Sequence, residues 1–142
     1  MKYLKIALII VVLGAVVIQL VPYGRNHINP PVLGEPNWDS PETRELFYRA
    51  CGDCHTNETV WPWYSNIAPV SWLVQHDVDE GRHELNLSEW GYIANKEADE
   101  SSEAIEEGEM PMPVYLITHP EARLTEAEKE ALMRGLDRTF DD

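Results

Sequence analysis

Cys51-Gly52-Asp53-Cys54-His55 reads C-x-x-C-H and contains both cysteines of the 142-residue chain. The pattern is the attachment signature of a c-type haem. Two cysteines three apart on one helical turn can each reach a porphyrin vinyl group and form a thioether. The histidine that follows is then carried over the ring face, where an imidazole nitrogen binds iron. Other uses of the same residues fit less well. A zinc ribbon needs a second cysteine pair, and the sequence has none. A thioredoxin-type dithiol belongs near a βαβ pattern, and no strand pattern surrounds this motif. A plain disulfide across the two intervening residues stays open. The expectation is one covalently attached haem c, held by Cys51 and Cys54, with His55 on its iron.

Upstream, Ser40 suits a helix N-cap, Pro41 the first helical position and Glu42 the positive helix end. Leu46, Phe47 and Ala50 then share one face as the chain enters Cys51. At the N-terminus, Lys2 and Lys5 precede an apolar run from Ile6 to Ile18, extended by Leu20 and Val21 past Gln19 and ended by Pro22 and Gly24. With Tyr3 and Tyr23 at its two ends, the segment approaches the roughly 20 residues that span a bilayer. No small-x-small cleavage site follows the apolar core. The reading is a signal anchor over residues 1–24 that leaves the lysines cytoplasmic and exports the rest; the alternative is a cleaved signal peptide. Residues 25–39, with three prolines and a glycine, read as an extended linker on which Ile28, Val32 and Leu33 are candidates to pack against the domain. Residues 40–142 then form one small domain.

The formal charge is −14, and beyond Asn26 eight basic residues face all twenty-five acidic ones. Such a domain does not bind nucleic acid or an anionic membrane surface through charge. It suits docking to a basic patch on a redox partner, with salt-sensitive association.

Downstream of the motif the pattern is helical. Residues 57–68, including Trp61-Pro62-Trp63-Tyr64, read as an aromatic loop. Pro69 opens a second helix, with Val70, Leu73, Val74 and Val78 apolar and Gly81 ending it. Asn86-Leu87-Ser88-Glu89-Trp90 reads as another helix start capped by Ser88. Glu97 to Glu107 is helical in propensity and stops at Gly108. Thr125-Glu126-Ala127-Glu128 is a capping box that opens a terminal helix carrying Ala131, Leu132, Leu136 and Phe140 at helical spacing. No segment alternates as a strand. The fold class is all-α.

This layout resembles a class I cytochrome c, in which the helix before the haem motif packs across the terminal helix. A series of motifs sharpens the resemblance: Cys51 through Asn57, Thr59-Val60-Trp61-Pro62-Trp63-Tyr64, Ile67 through Trp72, Gly81-Arg82, Leu85 through Trp90, Gly108-Glu109-Met110-Pro111, and Tyr115 with His119 through Thr125. Over roughly residues 40–138 the chain is similar to a bacterial family of short, membrane-anchored haem-binding domains of cytochrome c type. The resemblance implies covalent haem c and an exported location, with no defined physiological partner.

For the sixth iron position, Met110 lies between Gly108 and Pro111 on a loop, where the proline stiffens the backbone that presents the thioether. The segment resembles the distal-ligand segment of cytochromes c. Met112 is the direct competitor, and His76, His83 and His119 are further candidates, with His76 foremost among them. Trp61, Trp63, Tyr64, Trp72, Trp90 and Tyr115 are expected to line or cover the pocket or to serve as core, and Arg82 to pair with a haem propionate or to form a surface salt bridge. Two function classes follow. In the favoured one the domain is a mono-haem electron carrier and not a catalyst. In the alternative, an open or labile distal side makes it a haem-based peroxidase or small-ligand sensor.

Overall fold

The computed structural model describes residues 1–141. Helix α1 (Lys2–Val17) continues as a 3-10 turn over Ile18–Leu20. Its side chains are exposed and it has no buried residue. The nineteen residues Lys2–Leu20 are apolar enough to cross a membrane, and their position suits a signal sequence equally. At 1.5 Å per residue they measure about 28 Å, close to the thickness of a bilayer's hydrocarbon core.

The chain divides into two compact units, Met1–Ile28 with Trp61–Asp77, and Asn29–Val60 with Val78–Asp142. In the second, Ser40 accepts the Thr43 N–H at 3.1 Å and Pro41 opens α2 (Pro41–Ala50), the capped start that the sequence predicts. Leu46, Phe47 and Ala50 are buried. The motif follows at once as the single turn α3 (Gly52–His55). Next comes α4 (Val70–Glu84), whose residues to Asp77 belong to the first unit and those from Val78 to the second. The short helices α5 (Ser101–Glu106) and α6 (Tyr115–Thr118) lead to α7 (Glu126–Phe140). The Thr125–Glu128 capping box is present in both directions. Leu132 and Leu136 join Leu46, Phe47, Leu85, Leu87, Ala98 and Ile105 in one core.

Helices α2 and α7 touch where Gly135 faces Thr43: a Cβ at Gly135 would collide with the Thr43 side chain. The approach is tied by hydrogen bonds. Thr139 Oγ1 accepts the Asp39 N–H at 3.1 Å, and Arg138 Nε donates to Asp39 Oδ2 at 3.0 Å. Truncating a fully buried aromatic such as Phe47 in a core of this kind costs about 3–5 kcal/mol.

Three helix expectations are corrected. α4 does not end at Gly81 but runs to Glu84. The glycine serves a close approach instead, since a Cβ there would lie 2.7 Å from the Cys54 carbonyl oxygen. Val78 is buried, whereas Val70 and Leu73 are exposed. Asn86–Trp90 is not a helix start. The Asn86 side-chain carbonyl accepts the Ser88 N–H at 3.0 Å, which folds the segment as a turn, and Ser88 Oγ accepts the N–H of Asn57 and caps nothing. The acidic segment is helical only over Ser101–Glu106. Glu97 and Glu100 stand three apart, and like charges at that spacing oppose a helix; Glu100 crowds Glu97 and raises its carboxyl pKa. The described residues contain no strand, only the isolated bridges Gly34–Glu89 and Trp90–Ile93.

The proline-rich segment is held by its backbone. The N–H groups of Leu33 and Gly34 donate to the Ser88 carbonyl at 2.8 and 3.2 Å, and Asn57 Nδ2 donates to the Pro31 carbonyl at 3.1 Å. The side chains of Val32 and Leu33 are exposed.

Candidate haem centre

The motif lies at the end of α2, with Cys51 as the N-cap of α3. The Cys51 carbonyl accepts the N–H groups of Cys54 at 3.1 Å and His55 at 3.0 Å, so both cysteines and the histidine share one turn. No disulfide joins Cys51 and Cys54. Burial, with Cys54 beside it, pushes the Cys51 thiol up to about 12. Dithiol redox chemistry needs a lowered thiol pKa, so this environment suits a neutral thiol and disfavours the thioredoxin-type reading.

His55 is fixed on two sides by residues 85–87. Its Nδ1–H donates to the Leu85 carbonyl at 3.0 Å, and its own carbonyl accepts the Leu87 N–H at 3.0 Å. Because a carbonyl can only accept, that bond assigns the proton to Nδ1 and leaves the lone pair on Nε2, the arrangement a metal-binding imidazole needs. Burial lowers the His55 pKa and favours the neutral ring. Gly81 lets α4 approach the Cys54 backbone closely. The donor set therefore fits haem: two cysteines outside any disulfide, on the same turn as an imidazole of fixed tautomer.

Several residues other than the two cysteines and His55 hold this turn. Asp53, the second variable position of C-x-x-C-H, accepts the Val60 N–H at Oδ1 and the Tyr115 hydroxyl at Oδ2, both at 2.8 Å. Tyr115 stacks on His119 with ring centres 3.9 Å apart. Burial, reinforced by Asp53, raises the Tyr115 pKa and keeps its hydroxyl protonated as a donor. Asn57 is buried behind the motif; its Oδ1 accepts from Asn86 Nδ2 and its Nδ2 donates to Glu89 Oε1, both at 2.9 Å. Arg82 Nε donates to the Thr56 carbonyl at 2.9 Å, and Nη2 donates to Thr59 Oγ1 at 2.8 Å and to Asn29 Oδ1 at 2.9 Å. These bonds close the exit of the motif. A cluster of asparagines around a haem motif is the one signal that would have pointed to this buried polar network.

Met110 is half-buried and packs against the same core as Cys51. Its N–H donates to the Ala104 carbonyl at 3.0 Å after Gly108 turns the chain with φ +76°. Met112 is not among the residues packed on that core; its carbonyl accepts the N–H of Tyr115 at 3.0 Å and starts α6. Among the histidine candidates, His83 is exposed, with Nδ1 2.8 Å from Glu84, and His119 Nδ1 lies 3.1 Å from the Tyr115 carbonyl. His76 is exposed and belongs to the first unit. So do Trp61, Trp63, Tyr64 and Trp72, whereas Trp90 and Tyr115 belong with His55 to the second. Trp90 stacks on Phe140 at 5.0 Å.

A family model described as a haem-binding domain matches residues 13–138. No curated protein and no solved structure matches the chain.

Proposed function

The chain belongs to the haem-binding domain family, and on that premise we propose that it is a mono-haem c-type cytochrome that passes single electrons between protein partners, tethered by α1 outside the cytoplasm. The observation that carries the reading is the motif turn: Cys51 and Cys54 without a disulfide, and His55 with Nδ1–H committed to the Leu85 carbonyl. Haem, when bound, supplies a one-electron iron couple whose potential is tuned by its axial ligands and surroundings.

The chain's own residues bind and orient. Cys51 and Cys54 would hold the group: each thiol would add across a vinyl double bond, its sulfur taking one carbon and its hydrogen the other, so nothing would leave. The Leu85 carbonyl holds the His55 ring in the tautomer that offers Nε2 to iron. Asp53, through Tyr115, ties the motif to α6. Met110, packed on the same core as Cys51, would offer its thioether as the second protein donor to the iron; a His/Met pair would raise the potential. The strongly negative charge of the second unit suits a partner with a basic patch.

The test is acid–acetone extraction of the protein matured in a host that assembles c-type cytochromes. Haem that stays with the polypeptide after denaturation supports thioether attachment. Haem that extracts quantitatively, or colourless protein from that host, overturns it. Membrane fractionation of the full chain, with protease protection of the haem domain, tests the tether and its side.

A further inference from the structure

We propose that the segment Trp61–Leu73 lies in the bilayer interface beside the outer end of α1, as a second membrane contact of the protein. This rests on the reading of α1 as a membrane anchor and adds to it a lipid-binding face on the loop and helix that follow the haem motif.

The first observation is a clamp between the end of the apolar segment and this loop. Gln19 Nε2 donates to the Ala68 carbonyl at 2.8 Å, and Gln19 Oε1 accepts the Ala68 N–H at 3.0 Å. One side-chain amide thus takes up both backbone groups of one residue. Arg25 Nη2 donates to the same Gln19 Oε1 at 2.9 Å. His27 stacks on Trp61 at 4.7 Å and places Nε2 3.1 Å from the Ser65 carbonyl. Gly24 is buried, and a side chain there would run into the Ser71 carbonyl. Three positions of the stretch Gln19–His27, namely Gln19, Gly24 and His27, therefore meet the stretch Trp61–Ser71, and Arg25 braces Gln19. Gln19 stands where the apolar helix ends, which in an anchored chain is the level of the headgroups.

The second observation is what the clamped segment exposes. Trp63 is 75% exposed, and Ile67, Val70 and Leu73, which follow it in the clamped segment, are exposed as well. In water such a group of large apolar side chains is unfavourable, and contiguous exposed apolar surface marks an interaction site. Tryptophan with aliphatic neighbours is the composition of an interfacial contact.

The third observation is charge. From Thr59 to His76, eighteen consecutive residues contain no Asp, Glu, Lys or Arg, in a chain with 25 acidic and 11 basic residues. The unit formed by Met1–Ile28 and Trp61–Asp77 carries only Lys2, Lys5, Arg25 and Asp77 as charged side chains. The acidic surface that would be repelled by anionic headgroups is missing from this unit apart from Asp77, and of its cations Arg25 lies past the outer end of α1, where it favours them, while Lys2 and Lys5 lie at the opposite end. A protein partner would not require the face to be fastened to the anchor's end; a lipid surface explains both the clamp and the absence of charge.

The experiment uses the full-length, haem-loaded wild type in liposomes of phosphatidylethanolamine and phosphatidylglycerol that carry a phospholipid with a photoactivatable diazirine near the headgroup. After illumination, adducts are located by peptide mass spectrometry. Adducts both in Lys2–Leu20 and at Trp63, Ile67, Val70 or Leu73 are expected. Tyr92 and Ile93, exposed apolar residues of the other unit, serve as the reference and should stay at background. Adducts in Lys2–Leu20 with Trp61–Leu73 at the Tyr92 level overturn the proposal and leave the anchor standing. Equal labelling of all exposed apolar residues also overturns it. No adduct in Lys2–Leu20 overturns the anchor reading and this proposal with it.

Discussion

Around His55 three polar groups are committed to backbone: Nδ1 to the Leu85 carbonyl, the carbonyl to the Leu87 N–H, the N–H to the Cys51 carbonyl, with the Cys54 backbone close to Gly81. Around Met110 only the backbone is committed, through its N–H to Ala104, while the thioether side chain is held by packing on the core. Hydrogen bonds to backbone are directional and fix an orientation; a methionine on a partly buried surface is adaptable. The two sides of the candidate centre should therefore respond differently to change. Damage on the His55 side should remove the cofactor or the fold, and damage on the Met110 side should alter ligation and leave attachment intact.

The largest effect should come from Cys51→Ala with Cys54→Ala, which removes both thioether donors. Covalent haem should be lost completely, read as no peptide-bound haem after acid–acetone extraction. Retention would mean that the motif turn is not the attachment point. Next in size is Gly81→Val, whose branched side chain has no space beside Cys54. Overpacking of this kind costs about 1–3 kcal/mol and occasionally more, to be read as a lowered urea midpoint and a poor yield of haem-loaded protein. A midpoint like that of the wild type would show that α4 moves away freely and that the His55 side is less rigid than its contacts indicate.

Met110→Ala should spare covalent haem but abolish the near-infrared sulfur-to-iron charge-transfer band of the ferric protein, lower the potential and admit external ligands. Met112→Ala should leave the band in place. A reversed result transfers the ligand role by two residues; a low-spin wild type without the band removes methionine from the assignment. Thr125→Ala, which removes the cap of α7, should cost about 1 kcal/mol in chemical denaturation, without any spectral change at the haem.

The smallest effect concerns pH. The Arg49 guanidinium, with the Thr125 cap behind it, holds the Glu128 carboxyl at about 2, and Arg44 first among its partners holds Glu35 at about 2, both below an ordinary value of 4.5. A carboxyl depressed in the folded state contributes stability that is present above its unfolded value and lost as the pH falls through the folded one. Melting temperature should thus fall between about pH 4.5 and 2, and Glu128→Gln should flatten that limb slightly, because exposed pairs are weak and screened by salt. A limb as steep in the variant as in the wild type would remove Glu128 from the account.

Much of the scaffold could be read along the chain. Ser40 with Pro41, and Thr125 with Glu128, are local signals whose partners lie within three residues, so the starts of α2 and α7 came directly from sequence. Leu46, Phe47, Leu132 and Leu136 followed from helical spacing. The misread segments share a different physics. Gly81 looks like a helix end because its reason, the Cys54 backbone, lies 27 positions away in the sequence. Ser88 looks like a cap because its actual partner is the N–H of Asn57.

At the site the same division holds. Sequence alone singled out the candidate residues, because the proposed pair of thioethers and one imidazole would require a fixed spacing on a single turn, and that spacing is written in five consecutive residues. It also determined the apolar N-terminal helix, since hydrophobicity over a run is additive and needs no partner. Only the tertiary structure decided the His55 tautomer, the commitment of Arg82 to Thr56, Thr59 and Asn29, the tie from Asp53 to Tyr115, and the clamp of Gln19 on Ala68. Each of those is a hydrogen bond between groups 23 to 62 positions apart, and its existence depends on where folding brings the two ends, which no local pattern of residues specifies.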